Sequence, residues 1–185
     1  MTRRSFGYSV ISQALEKARL AYGRGNEEQA QAANKEFERC YAQLVADGQC
    51  SPIPQAADVV SSLRSRGVKV ALTTGFARET QNAIIEALGW RDIADAVLCP
   101  GPGVRGRPYP DLALAALMQT ETDAVQSMLV VGDTSSDVIT GLRAGARASV
   151  GVLTGAHNAA QLSAAGATHI LDSVADLPGL VATLG

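Results

Sequence analysis

A chain of 185 residues with 46% hydrophobic and 18% charged residues is long enough for one packed domain and a small accessory piece. A formal net charge of −2 leaves no basic field for nucleic acid and no polybasic patch for a membrane surface. Met1-Thr2-Arg3-Arg4 runs into Ser5-Phe6-Gly7-Tyr8 rather than an apolar stretch, so no signal peptide is expected, and no apolar run reaches membrane-spanning length. Aromatic residues are only 4%, so Ala, Val, Leu and Gly fill the interior, a mix that suits helix-on-sheet packing. Cys40, Cys50 and Cys99 form no CxxC and no metal-ligand spacing, and read as reduced, mostly buried thiols of a cytoplasmic protein.

In chain order, Tyr8, Ile11, Leu15, Ala18 and Tyr22 share one face of a helix over 8–22, which Gly23 and Gly25 break. Asn26 caps a second helix reaching about Ala46, with Ala33, Phe37, Cys40, Tyr41 and Leu44 on one face and Asp47-Gly48 at its end. Residues 1–50 therefore read as a helical hairpin without a complete core of its own. From Ser51-Pro52 the character changes. Helix 56–66, strand 69–74, helix 77–88 and a strand over 95–99 precede a Pro/Gly loop at 100–110. Helix 111–119, strand 128–132, helix 134–144, strand 148–153, helix 157–165, strand 168–171 and helix 174–183 follow. Strict alternation predicts an α/β fold, Rossmann-like, with a parallel sheet covered by helices on both faces over residues 51–185.

The densest chemistry lies in Met128-Leu-Val-Val-Gly-Asp133-Thr-Ser-Ser-Asp137. The apolar run is a buried strand, which puts Asp133 at its carboxyl tip and Asp137 on the first turn of the next helix. Two carboxylates so close stay ionised cheaply only with a cation between them. Hard oxygen ligands with open positions suit Mg²⁺, which keeps waters and accepts phosphate oxygens. Ligands of such sheets bind beyond the strands' carboxyl ends, where two further signals fall. Thr74 offers a hydroxyl to an anion and Gly75 its backbone N–H, while Arg107 in the 100–110 loop is suited to neutralising phosphate charge. Together these groups supply charge stabilisation for phosphoryl transfer.

Each residue also has a plainer reading. Thr74 and Arg107, taken singly, are a strand-end hydroxyl and a surface arginine. Asp133 before Thr134 reads equally as a helix cap, with Asp137 as its first-turn dipole partner. Joint placement, in order, at one sheet edge favours the site. Gly101-Pro-Gly-Val-Arg-Gly106 matches GxGxxG, but Pro108 and Pro110 delay the following helix to Asp111, so a dinucleotide is not expected. His157 reads as a capping or surface residue near the sheet edge, and His169 as packing. Among the lysines, Lys35 is followed by Glu36 and Glu38 on what reads as a solvated face.

These motifs resemble the haloacid dehalogenase superfamily of aspartyl-nucleophile hydrolases, most nearly its phosphonatase-like (phosphonoacetaldehyde hydrolase-like) subgroup. Leu72-Thr-Thr-Gly-Phe76 resembles the second motif and Gly106-Arg-Pro-Tyr-Pro-Asp111 the third, with the arginine this subgroup carries. Gly132-Asp-Thr-Ser-Ser-Asp137 with Gly141 resembles the acidic fourth, and Gly151-Val-Leu-Thr-Gly-Ala-His157 is typical of the subgroup. The resemblance covers roughly 52–185 and implies Mg²⁺-dependent hydrolysis of a small phosphate ester or phosphonate. Asp133 and Asp137 would serve the metal, and Thr74, Gly75 and Arg107 the phosphate, with Thr74 and Arg107 catalytic. Residues 1–50 would be part of the helical cap.

The family's first motif, a strand ending in Asp-x-Asp-Gly-Thr or Asp-x-Ala-Gly-Thr, does not occur in these residues; Asp47-Gly48 lacks the threonine and lies at a helix end. That motif supplies the nucleophile, so the 185 residues are expected to be inactive by themselves. Its strand would stand between those ending at Thr74 and Gly132, and without it each unpaired buried backbone group costs roughly 1–3 kcal/mol. Three outcomes follow: the motif lies upstream of a truncated reading; Phe6–Ile11 or a swapped neighbouring chain, as in a homodimer, fills the place; or the strands close up. The alternative class is a non-catalytic binding or assembly module that uses the exposed sheet interior as an interface.

Overall fold

The computed structural model describes residues 27–184. The helix expected over 8–22, the Asn26 cap and the Phe6–Ile11 segment lie outside the described residues. The chain forms two compact units; the described part of the first comprises residues 27–51 and Phe76–Gly89, and the second comprises Pro52–Gly75 and the chain from Trp90 onward.

In the first unit, helix α1 spans Glu27–Ala46 and ends as its Asp-Gly signal predicts, with Gly48 in the left-handed region at φ 68°. Residues Ala56–Ser65 form α2 and residues Arg78–Ala87 form α3. Helix α3 belongs to the first unit although it lies between two strands of the second. Its N-cap position is Ala77, which has no side-chain acceptor, so Glu38 of α1 supplies one. The Glu38 carboxylate accepts the Ala77 N–H at 3.0 Å and the Thr80 hydroxyl at 2.5 Å. Phe37 stacks on Phe76 at 5.7 Å between centroids, and Tyr41 tilts against both, an aromatic cluster in a chain with few aromatic residues.

The second unit holds the five strands of the described residues: β1 Ala71–Thr73, β2 Ala96–Leu98, β3 Leu129–Gly132, β4 Ala148–Val152 and β5 His169–Leu171. Helices α4 (Asp111–Gln119), α5 (Ser135–Ala144), α6 (Ala159–Ala164) and α7 (Leu177–Leu184) alternate with them. Every ladder is parallel, as the alternation predicts, but the strands form two sheets, β1-β2 and β3-β4-β5. The pairing runs Ala71↔Ala96 in the first and Leu129↔Ala148 and Val150↔His169 in the second. Strand β4 has neighbours on both sides and all five of its residues are buried. Glycines let helices press close to it. A Cβ on Gly151 would lie 2.8 Å from Leu162 of α6, and one on Gly141 of α5 2.6 Å from the Ser149 hydroxyl.

The outcome in which the strands close up is overturned, because β1 and β3 do not pair. Val68–Thr73 and Ser127–Asp133 instead line one 690 Å³ cleft, roofed by Val59, Val60 and Leu63 of α2 and Leu177 of α7, and floored by Leu112 and Ala116 of α4. Consecutive residues of one strand all border a space only when the strand's edge faces it, since alternate side chains point to opposite faces. The helical layers therefore close over a gap in the sheet layer. Of the three thiols only Cys99 is buried; Cys40 and Cys50 are partly exposed, contrary to the expectation of mostly buried cysteines. The GxGxxG look-alike is a tight turn in which Gly101 and Val104 exchange backbone hydrogen bonds, and the helix begins only at Asp111. No described helix is long and apolar enough to cross a membrane.

Candidate active site

All the residues singled out at the sheet edge lie in the second unit, at the carboxyl ends of β1 and β3 and in the loops that follow β2 and β4. Strand β1 ends at Thr73, and the Thr74 N–H continues its pairing to the Leu98 carbonyl at 3.1 Å. Gly75 follows, where an added Cβ would stand 3.3 Å from an Arg107 guanidinium nitrogen. The arginine head thus passes over the Gly75 backbone, which brings Thr74, Gly75 and Arg107 to one place.

The loop carrying Arg107 is fixed from several directions. Arg105 donates to Asp111 through its backbone N–H at 2.9 Å and its guanidinium at 2.9 and 2.8 Å, and lies over the Tyr109 ring at 4.1 Å. The hydrogen bonds from Arg105 hold the Asp111 carboxyl down at about 2. From α5, Arg143 donates to the Pro108 carbonyl at 3.0 Å and Thr140 to the Tyr109 carbonyl at 3.5 Å.

Arg107 itself donates to Asp137 at 2.5 Å. Asp137 is 6% exposed, and its carboxylate is fully engaged. One oxygen accepts Arg107, and the other accepts the Thr134 N–H at 3.0 Å and hydroxyl at 2.6 Å. Thr134, not Asp133, is the N-cap of α5, and Asp137 completes a capping box with it. The plainer reading of Asp137 therefore holds alongside a second role, orienting Arg107.

Asp133 is left to do something else. Its Oδ2 accepts the Ala156 N–H at 2.8 Å and its carbonyl accepts the His157 N–H at 3.1 Å. A Cβ on Gly155 would fall 2.1 Å from Oδ2, so the loop after β4 wraps the carboxylate closely enough to require glycine. The other oxygen, Oδ1, accepts no hydrogen bond from the described residues. Nor do three or more His, Cys, Asp or Glu side chains cluster as a metal cage among the described residues. One carboxylate oxygen at a strand tip, with no protein donor among the described residues, fits a single hard ligand to Mg²⁺ of the kind that keeps waters and shares phosphate oxygens with a substrate.

Sequence reasoning gave His157 a capping role but not the helix it caps. Its Nδ1 accepts the Ser135 N–H at 2.9 Å, with the Ser135 hydroxyl at the same distance, so it caps α5 from another loop rather than the helix it precedes. Nothing in residue order announces a contact across 22 positions. It also missed the Arg105–Tyr109–Arg143 packing, although the Arg/Tyr/Asp content of 105–111 hinted at an ordered loop.

Comparisons with known proteins agree with this geometry. A family model described as haloacid dehalogenase-like hydrolase matches residues 6–145. Phosphonoacetaldehyde hydrolase of Bacillus cereus (strain G9842) is 34% identical over 106 residues, and that of Bacillus cytotoxicus 37% over 106. Each match takes in 57% of this chain and 40% of the relative, so the chain spans well under two thirds of those proteins. Among solved structures, a phosphonoacetaldehyde hydrolase-like protein from Oleispira antarctica superposes with a TM-score of 0.75 at 27% identity, over 94% of this chain and 74% of that one. A hydrolase from Deinococcus radiodurans, solved with bound phosphate and sodium, gives 0.69 at 26%, over 91% and 74%.

Proposed function

The chain belongs to the haloacid dehalogenase-like hydrolase family, and on that premise we propose that it is the phosphate- and metal-binding part of a phosphonatase-like hydrolase acting on a small phosphate ester or phosphonate. The observation that carries this reading is the continuous contact Gly75–Arg107–Asp137, which joins the anion-binding end of β1 to the acidic end of β3. In this role Thr74 and the Gly75 N–H receive phosphoryl oxygens, and Arg107, held by Asp137, neutralises charge that builds on them. Asp133 would hold Mg²⁺ through its uncommitted oxygen. Bound there, the ion would supply charge neutralisation to the phosphoryl group. Asp137 serves the metal site indirectly, by fixing the arginine and the start of α5. The protein works in the cytoplasm on this reading, on small-molecule substrates.

The family's aspartyl motif does not occur in these residues, so on this reading they supply no group that attacks phosphorus. The 185-residue chain alone therefore turns over neither an aryl phosphate nor phosphonoacetaldehyde faster than its Asp133→Asn variant. It still binds inorganic phosphate in the presence of Mg²⁺, weakly, and Arg107→Ala abolishes that binding in calorimetry. Turnover that Asp133→Asn removes would refute the first statement. Phosphate binding indifferent to Arg107→Ala, or micromolar Mg²⁺ affinity with no phosphate present, would refute the second.

A second reading, a non-catalytic binding or assembly module, is favoured by one observation: the 690 Å³ cleft is bordered by edges of β1 and β3 that pair with no strand of the described residues, and is lined largely by apolar side chains. Such edges invite an added strand, including one from a second copy. Sedimentation separates the two readings. A stable homodimer that Leu72→Asp in the cleft dissociates supports the module, and a monomer at all concentrations removes it.

A further inference from the structure

His157 is not in contact with the phosphate-binding residues, yet it ties together the three pieces of backbone around Asp133. Its ring nitrogen Nδ1 accepts the N–H of Ser135, the first residue of α5. Its own N–H is bound by the Asp133 carbonyl, and the preceding N–H, from Ala156, is bound by the Asp133 carboxylate. Behind it, Asn158 and Gln161 form a reciprocal capping box that fixes the start of α6. The loop 153–156 is exposed, so neighbouring side chains do little to hold it. At its start the Leu153 N–H is bound by the Leu171 carbonyl at 3.0 Å; at its far end it is held by the Asp133 carbonyl on the His157 N–H, by the His157 ring pinned to α5 and by the α6 cap.

We propose that His157 is a positioning residue that sets the direction of the Asp133 carboxylate. With the ring bound to Ser135, the Ala156 N–H stays on Oδ2 and Asp133 keeps one side-chain conformation, with Oδ1 as the oxygen available to a ligand. Without that tie the loop leaves α5, the Ala156 hydrogen bond opens, and the carboxylate samples its other rotamers. The ring needs only an acceptor at Nδ1 to do this, so asparagine, whose side-chain oxygen can stand in for that nitrogen, retains the function and leucine loses it. This inference rests on the assignment of Asp133 as the metal-holding residue, and its amide readout does not.

Two measurements on the 185-residue chain test it: backbone amide exchange at Ala156 followed by NMR, and affinity for Mn²⁺ alone followed by the free-ion signal in electron paramagnetic resonance. In His157→Leu the Ala156 amide exchanges faster, and Mn²⁺ binds about 10-fold more weakly, the lower end of what removing an outer-shell partner costs. His157→Asn restores both. A merely structural histidine would lower thermal stability without moving either readout selectively. Unchanged Ala156 exchange in His157→Leu, or an Asn variant as impaired as the Leu variant, overturns the proposal. If Asp133→Asn leaves Mn²⁺ affinity unaltered, the metal role of Asp133 falls, and the amide measurement alone then decides whether His157 holds the loop.

Discussion

Removing the Asp137 carboxylate is the sharpest perturbation of this site. The side chain is 8% exposed and accepts three hydrogen bonds, from the Thr134 N–H, the Thr134 hydroxyl and Arg107. Asp137→Ala loses half of a capping box, about 1 kcal/mol, and a charge-assisted hydrogen bond, about 1.5–3 kcal/mol. The Arg107 side chain it strands is 32% exposed and so partly rehydrated, which places the cost at the lower end of the range for a broken buried pair. The sum is about 3 kcal/mol, or a fall of about 6–12 °C in Tm for a chain of this size. Asp137→Asn keeps an oxygen facing Thr134 and loses the charge facing Arg107, so it costs about half as much. Urea unfolding of Asp137→Ala, Arg107→Ala and the double variant measures the pair directly. A coupling energy near zero, with the single effects additive within about 0.5 kcal/mol, would show that the arginine and the carboxylate do not meet in solution. The reasoning that joins the two halves of the site would then fail.

Other consequences are as open to measurement. Asp95 accepts the Val70 N–H at 2.8 Å and faces Arg64 and Lys69, and these contacts, the Val70 hydrogen bond foremost, hold its carboxyl below the usual 3.8. A depressed folded value means a contribution that is full above the unfolded value and fades as pH falls through the folded one. Asp95→Asn therefore destabilises the protein at pH 7 in urea unfolding, and the difference from wild type narrows below about pH 4; a gap that widens on acidification would contradict this. Gly141→Ala drives a methyl toward the Ser149 hydroxyl and Val130, and costs about 1–3 kcal/mol as overpacking, read from thermal unfolding. Glu38→Gln keeps its amide oxygen for the Ala77 N–H and turns its amide NH₂ to the Thr80 hydroxyl, which then accepts, so it is nearly silent, whereas Glu38→Ala uncaps α3 and lowers helicity by circular dichroism.

Much of the fold was legible because hydrophobic period and punctuation agree. The 111–119 helix occupies the residues expected, and the 134–144 helix differs only in that Thr134 is its cap. Strands came out shorter than their apolar runs: 69–74 narrows to Ala71–Thr73, because Val68–Val70 reach past the end of β2 and the Val70 N–H is taken by the Asp95 side chain instead of a strand. The last helix begins at Leu177, since Ser173 caps a separate turn at Val174–Asp176. At the candidate site, residue types and order singled out Thr74, Gly75, Arg107, Asp133 and Asp137, of which the structure brings Gly75, Arg107 and Asp137 into contact. They did not reveal that Asp137 spends both oxygens on protein donors, because spacing cannot say which partner a carboxylate chooses. The Arg107–Asp137 and Ser135–His157 contacts span 30 and 22 positions, and only the folded chain brings them together.

The divided sheet has a mechanical consequence. In an unbroken parallel sheet, a continuous backbone ladder would fix Thr74 relative to Asp133. Among the described residues no ladder crosses between β1-β2 and β3-β4-β5. Polar ties across that seam include three between the 105–110 loop and α5, Arg107 to Asp137, Arg143 to the Pro108 carbonyl and Thr140 to the Tyr109 carbonyl, and one from Arg66 to the Pro178 carbonyl. The two half-sheets are therefore held together by side chains, through these polar ties and the apolar cluster that joins Val68 and Val70 to Val131 and Leu171, rather than by direct backbone pairing.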